Sequence, residues 1–290
     1  MIINIRFFLR ACSGSSMGKS LNDIKYFLVD NGSLNPEATL NLRRIAKALT
    51  SETGLPIRPV GLMHSHKVNA QKLDGVAAET MESLFQSPEC KEWKHVVMIP
   101  LFFGPSLAIT DWLPRKLQQW QAEESTRSFR ILPCLHFLGD DRIARALTER
   151  TLDAISAHDY NKPFVALVDH GTPLPEVNQI REDVGLQMKS LLPAEISGFS
   201  TCSMERRDGP EYDFNDPLLE NKLRELAGEK VEQVVVAQLF LSPGRHAGKG
   251  GDLEEICSFF PGAIARTELL GMHPLILEIL VERLKHREEE

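Results

Sequence analysis

Two stretches of the chain carry unbroken apolar runs that end in a turn bearing a histidine. Phe164 to Glu176 reads FVALVDHGTPLPE and Val234 to His246 reads VVVAQLFLSPGRH, so His170 and His246 each follow a strand-like run. A run rich in β-branched residues and bounded by Gly and Pro predicts a strand covered on both faces, as in a parallel sheet. Shorter runs of the same kind lie at Ile24–Val29, Pro59–Met63, His95–Phe103, Phe129–Leu135 and Glu195–Thr201. Between them the period lengthens. Ala38, Leu42, Ile45, Ala46 and Leu49 form one stripe of a helix over Pro36–Leu49. Helices are also predicted over Val76–Phe85, over Ile109–Trp120 with Pro114 limiting its start, and over Asp140–Ala157 with Asp140 or Asp141 at the N-cap. Strands alternating with helices predict an α/β fold. In parallel sheets ligands bind beyond the carboxyl ends of the strands, which is where both histidines fall.

The pattern runs twice. Asp30-Asn31-Gly32-Ser33 matches Asp169-His170-Gly171-Thr172 at an offset of 139 residues, and Pro36-Glu37 matches Pro175-Glu176 at the same offset. Leu101-Phe102-Phe103-Gly104-Pro105 matches Leu239-Phe240-Leu241-Ser242-Pro243 at 138. Separated matches at nearly one offset mark a duplication. The chain therefore divides into an extension over 1–23, a first lobe over 24–158 and a second over 159–290, joined near Asp159-Tyr160-Asn161-Lys162-Pro163. Asn31 stands where the second copy has His170, and Ala108 where it has His246. The first lobe keeps the loops without the imidazoles and is expected to form the other wall of a cleft.

Composition narrows the classes. The 290 residues carry a formal charge of −7, with 42% hydrophobic and 25% charged residues, an ordinary soluble balance. A pI near 5.8 argues against a nucleic-acid partner, and no apolar run is long enough to span a membrane. The five scattered cysteines, without a CxxC, argue against a disulfide framework or structural zinc and fit reduced thiols in the cytoplasm. Arg6 and Arg10 interrupt the apolar start Met1–Cys12, which argues against a secretory signal, and Met17 would serve equally well as a start.

Neutral imidazole is a good ligand for divalent cobalt, iron, nickel or zinc. Two histidines alone make an open site, suited to a metal that is handed on. Glu205, in Ser203-Met204-Glu205-Arg206-Arg207 after the strand Glu195–Thr201, is placed to reach the same edge as a ligand or a general base. Taken singly, each of these residues is more simply a surface group; the argument rests on the set. His64 and His66 lie at the matching strand end of the first lobe, where a polar loop is the default and ligation the alternative. His136 and His273 read as structural. Ala247-Gly248-Lys249-Gly250-Gly251 lacks the spacing of a phosphate loop and reads as a mobile segment. Phe102, Phe103, Phe240 and Leu241 are either macrocycle stackers or, as residues within strands, sheet core. Arg206, Arg207 and Arg245 offer forks for substrate carboxylates or are plain surface charges.

At these residues the chain resembles the sirohydrochlorin chelatases, the class II chelatases of CbiX/SirB type. The resemblance is carried by Val168-Asp169-His170-Gly171-Thr172, Ser203-Met204-Glu205 and, most specifically, Leu239-Phe240-Leu241-Ser242-Pro243-Gly244-Arg245-His246. The first lobe is similar in pattern only, through Asn31-Gly32-Ser33 and Pro100 to Ser106. The resemblance implies two flavodoxin-like lobes, each a parallel four-stranded sheet flanked by helices, with a cleft between them. It implies ATP-independent insertion of a divalent metal, cobalt or ferrous iron, with nickel or zinc as further candidates, into sirohydrochlorin or a related tetrapyrrole on the way to cobalamin or sirohaem. His170 and His246, assisted by Glu205, would bind the metal and take protons, with no nucleotide and with a monomer sufficing. The chain departs from the family pattern at Gln238, where a proline is expected, in the glycine-rich run after His246, and in having one site instead of two. A protein that stores or delivers a metal or tetrapyrrole without turnover is the alternative.

Overall fold

The computed structural model describes residues 24–285 apart from residue 193. The extension over 1–23, with Met1–Cys12 and Met17, lies outside the described residues. The first lobe runs β1 (Ile24–Asp30), α1 (Pro36–Thr53), β2 (Ile57–Gly61), α2 (Met81–Phe85), β3 (His95–Pro100), α3 (Leu113–Ala122), β4 (Ser128–Ile131) and α4 (Arg142–Ala157). The second runs β5 (Phe164–Asp169), α5 (Pro175–Leu191), β6 (Gly198–Ser203), α6 (Leu219–Gly228), β7 (Gln233–Gln238), α7 (Asp252–Ser258), β8 (Ala263–Arg266) and α8 (Pro274–Lys285). Each lobe holds one parallel four-stranded sheet, in the orders β2-β1-β3-β4 and β6-β5-β7-β8. This is the α/β architecture of two matching lobes expected from the repeat.

The strands are apolar on both sides because both sides are covered. Tyr26 and Leu28 of β1 face one core, and Phe27 and Val29 face another, as the two-residue period of a strand requires. The first of these cores is shared. Leu42, Ile45 and Leu49 of α1, Ile143 and Leu147 of α4, Ile180 and Val184 of α5, and Ile276 and Ile279 of α8 pack with residues of β1, β3, β5 and β7 in one cluster. The four helices thus form a middle layer between the two sheets. Helices α2 and α3 cover the outer face of the first sheet, and α6 and α7 that of the second. Helix α4 follows β4 in sequence but lies against β7 and β8, and α8 lies against α1. At about 1.5–3 kcal/mol for each large apolar side chain removed from water, this layer couples the lobes strongly.

Several boundaries differ from the expectations, for physical reasons. The helix over Val76–Phe85 is confined to Met81–Phe85. Thr80 and Ser83 cap each other there reciprocally, and the carbonyls of Leu73, Val76 and Ala77 are taken upstream by the Arg43 guanidinium. The strand over Pro59–Met63 begins and ends two residues earlier, and that over Glu195–Thr201 shifts to Gly198–Ser203. Strands β3 and β7 stop at Pro100 and Gln238, so Phe102, Phe103, Phe240 and Leu241 are loop residues at the carboxyl edge. They still pack half-buried against the cores. At α4 the side chain of Asp140, one residue before the cap position, accepts the Arg142 N–H at 3.0 Å.

Candidate metal site

The site is built from three strand ends of the second sheet. Strand β5 delivers His170, β6 delivers Glu205 and β7 leads to His246. The turn after β5 is forced by packing. Gly171 has φ +91°, and a Cβ there would stand 1.9 Å from the Glu205 carbonyl. Glycine therefore lets the two loops touch, and the Glu205 N–H bonds the His170 carbonyl at 3.2 Å. Beneath the turn Asp169 accepts the Gly171 N–H at 3.1 Å. Burial pushes the Asp169 carboxyl above its usual range, and Arg181 opposes that shift. Arg181 is 1% exposed and binds Asp169, Ser203 Oγ and the carbonyls of Phe214 and Asn215. This network ties β5, β6 and the segment before α6 together beneath the site.

The His246 loop is closed by backbone hydrogen bonds. Gly244 N–H bonds the Ala247 carbonyl, Asp252 N–H that of Arg245, and Leu253 N–H that of His246, tying the segment to the start of α7. Gln238, where proline was expected, is buried and bridges to Thr267 of the next strand end through its backbone N–H and its amide. The first lobe supports the same loop. Asn41 of α1 donates to Ser242 Oγ at 2.7 Å and to the Leu241 carbonyl at 3.3 Å, and Asn35 to the Gly244 carbonyl at 3.4 Å.

The two imidazole rings are tilted by 56° to each other with their Nε2 atoms 3.1 Å apart. Glu205 Oε1 lies 3.2 Å from His170 Nε2. The other ring nitrogens each face an oxygen acceptor. His246 Nδ1 lies 2.7 Å from Asp252 Oδ2 and His170 Nδ1 lies 3.0 Å from the Gly171 carbonyl. Neither acceptor has a proton to give, so both bonds favour the proton on Nδ1, the tautomer in which a neutral ring offers its Nε2 lone pair to a metal. The two Nε2 atoms and a carboxylate oxygen thus lie together at one point of the strand edge. A cation shared among them, a proton or a metal ion, satisfies all three. Two nitrogens each about 2.1 Å from one ion stand about 3.0 Å apart at a right angle and about 3.4 Å at the tetrahedral angle, and the observed spacing falls between these values. Asp252 holding Nδ1–H is the carboxylate–histidine support common behind metal-binding imidazoles. Among the described residues no three His, Cys, Asp or Glu side chains converge into a ready-made ion cage. The site is an imidazole pair flanked by a carboxylate, with His170 and Glu205 about half exposed at 46% and 58%.

Asp252 escaped the sequence reading; its only signal is an acid opening α7, six residues after His246. The remaining candidates fall elsewhere. His64 and His66 are exposed on a short turn, without a bond to the imidazole pair. His136 lies 3.9 Å from Asp183, and His273 is buried against Glu149 with Nδ1 accepting the Leu275 N–H at the start of α8. Arg206 is held by Asp213 and Asp216, and Arg207 lies over Tyr212. Arg245 is 83% exposed beside Asp252. The described cysteines, Cys90, Cys134, Cys202 and Cys257, are free thiols, and burial pushes Cys134 up to about 12 and Cys202 and Cys257 to about 11. No helix among the described residues is long and apolar enough to cross a membrane.

A family model described as CbiX matches the chain twice, over residues 25–154 and 165–287. The chain belongs to the CbiX family. Among solved structures it is similar to SirB from Bacillus subtilis with Fe3+, at 14% identity and a TM-score of 0.67, covering 91% of this chain and 94% of that one. It is similar also to the sirohydrochlorin chelatase SirB from Bacillus subtilis subspecies spizizenii in complex with cobalt, at 13% identity and 0.65, covering 92% and 95%. A third similar structure is CbiX described as the terminal enzyme for siroheme biosynthesis in denitrifying bacteria, at 13% and 0.56, covering 91% and 98%. At these identities the structures establish the shared fold. No curated protein matches the chain in sequence. Both CbiX matches correspond to a lobe, so the duplication read from the offsets is a property of the family's own unit.

Proposed function

We propose that this CbiX-family protein inserts a divalent metal, cobalt or ferrous iron, into sirohydrochlorin or a related tetrapyrrole without a nucleotide, as a cytoplasmic monomer. The observation that carries this reading is the pair of imidazole Nε2 atoms, 3.1 Å apart beside a carboxylate, in the lobe that kept its histidines. The ion is a substrate. His170 and His246 hold it with two bonds and leave its remaining positions to the macrocycle. As two metal–nitrogen bonds form, two pyrrole N–H protons must leave, and the dication replaces them with charge conserved. Glu205 takes one proton, and an imidazole freed from the metal takes the other. Asp252 keeps His246 in the correct tautomer and stabilises it when it is protonated. The shallow, half-exposed site suits a flat macrocycle approaching face-on, and Phe102 and Phe240 at the same edge offer apolar surface to it.

The test is an anaerobic absorbance assay with sirohydrochlorin and either cobalt or ferrous iron. The purified protein is expected to convert substrate over many turnovers, and His170→Ala/His246→Ala to lose at least about 100-fold in rate with an unchanged melting temperature. Full activity in the double variant would sink the reading. A bound-macrocycle spectrum without turnover would favour storage or delivery instead.

A further inference from the structure

The first lobe has lost the site residues, yet a space behind them remains open. At the carboxyl ends of β1 and β2, Asp30, Gly61 and Ser65 border a cavity of about 340 Å³, walled by Thr39, Leu42 and Arg43 of α1 and by Val76 to Glu79. None of these residues belongs to the imidazole site.

The second lobe shows what fits in the matching place. Register pairs Asp30 with Gly61 and Asp169 with Ser203. Helices α1 and α5 both begin on a proline, so Leu42 corresponds to Arg181. There the chain supplies its own occupant: the Arg181 guanidinium lies 3.4 Å from Asp169 and also binds Ser203 Oγ and two carbonyls. In the first lobe a leucine replaces that arginine. Among the described residues no cation stands beside the Asp30 carboxyl, whose Oδ1 accepts the Gly32 N–H at 2.9 Å. Ser65 is 2% exposed, and its Oγ has no hydrogen-bond partner. Gly61 makes room for it, because a Cβ there would fall 2.4 Å from that Oγ. The other charges on the wall are committed. Arg43 donates to the carbonyls of Leu73, Val76 and Ala77, and Glu79 is held by Arg58.

We propose that this cavity binds a small organic cation, a guanidinium or primary ammonium on a short aliphatic stem, with Asp30 as counter-ion and Ser65 as hydrogen-bond acceptor. The stem lies along Leu42, Pro59, Val76 and Ala78. The acid–hydroxyl pair recurs in both lobes, but only the second lobe carries its cation in the chain. Burial without a charged partner pushes the Asp30 carboxyl up to about 7, and a cation returns it to the charged form.

The full chain is titrated calorimetrically with butylguanidinium, butylamine and the neutral isostere butylurea. Saturable one-to-one binding of a cation, with butylurea at least about 30-fold weaker, is expected, as for a desolvated charge pair. Asp30→Asn, which keeps the Gly32 bond, is expected to lose a similar factor. Leu42→Arg, which brings a guanidinium beside Asp30 as in the second lobe, is expected to abolish binding, with Asp30→Asn as the control for any loss of fold from changing a core position. His170→Ala is expected to bind as the unmodified protein does, so that failure of the chelatase reading leaves this one standing. Equal binding of butylurea, undiminished binding in both Asp30→Asn and Leu42→Arg, or no saturable binding of either cation would overturn the proposal.

Discussion

The two lobes share a backbone and differ in what they place on it. Gly32 and Gly171 both adopt positive φ, and a Cβ at either would collide with the carbonyl of the neighbouring loop, at Met63 and Glu205 respectively. The bond from Met63 N–H to the Asn31 carbonyl repeats that from Glu205 N–H to His170. By that equivalence His170 and Glu205 correspond to Asn31 and Met63, and the 138-residue offset pairs His246 with Ala108. All three chemical groups are gone from the first lobe while the turn that carried them persists. The turn therefore belongs to the fold, since it joins strand ends over a buried aspartate, and the imidazoles belong to the chemistry. A strand-end His-Gly turn is informative because of its histidine; the glycine follows from packing in either lobe.

The largest test of this comparison is Arg181→Leu, which gives the second lobe the first lobe's leucine. It leaves Asp169 buried without its cation and opens a cavity beneath His170. The expected cost is about 3–5 kcal/mol of unfolding free energy, as for a broken buried ion pair, read by urea denaturation with the slope unchanged. A loss under about 1 kcal/mol would mean that Arg181 is not what fills that lobe.

Next in size is Asp252→Asn. The amide no longer fixes the His246 proton on Nδ1, because it offers an N–H as readily as an oxygen. Metal affinity is expected to fall about 10–100-fold with stability nearly constant, measured by titrating cobalt into the protein and following its visible absorbance. Unchanged affinity would show that Asp252 serves the α7 turn and not the imidazole.

Asp30 tests the first lobe through pH. Its folded carboxyl titrates near 7 and its unfolded one near the ordinary carboxylate value of 3.8. Between those values the folded chain holds a proton that the unfolded chain does not, so stability falls as pH rises from about 4 to about 7 and is flat above that. Asp30→Asn does not titrate. It is expected to exceed the unmodified protein by roughly 2 kcal/mol at pH 8 and to match it near pH 4; the figure is held down because the carboxyl faces an open cavity. Parallel stability curves for the two proteins would show that Asp30 is charged or screened throughout.

What the sequence disclosed and what it hid divide along the same physical line. Features set by local period were legible: strands as unbroken apolar runs, α1 as one stripe, and the His170 and His246 turns as Gly/Pro interruptions. Features set by contacts across the chain were not. Arg181 reads as a charged position on an amphipathic helix until β5 and β6 bring Asp169 and Ser203 beneath it. Asp252 reads as an ordinary acidic helix start until the loop folds His246 back onto it. The middle helical layer is likewise invisible to a lobe-by-lobe reading, because α4 packs on the sheet that follows it. Val76–Phe85 failed for a reason of each kind: its period suits a helix, but Arg43 of α1 takes the carbonyls from across the chain and the local Thr80 cap starts the helix late.

The smallest expected effect bears on whether the first lobe is more than a wall. Asn41 is 6% exposed and spends its amide on Ser242 and the Leu241 carbonyl, in the turn that leads to His246. Asn41→Ala removes about 1 kcal/mol of hydrogen bonding, or about 2–4 °C in melting temperature. If the first lobe positions the second lobe's histidine, the half-saturating metal concentration rises several-fold, because His246 Nε2 drifts from its 3.1 Å partner. Turnover at saturating metal then changes little, since the same groups still take the protons. If melting falls while metal dependence stays fixed, the contact is structural alone, and the imidazole geometry is set wholly by Asp252 and the closed Gly244–Gly251 turn.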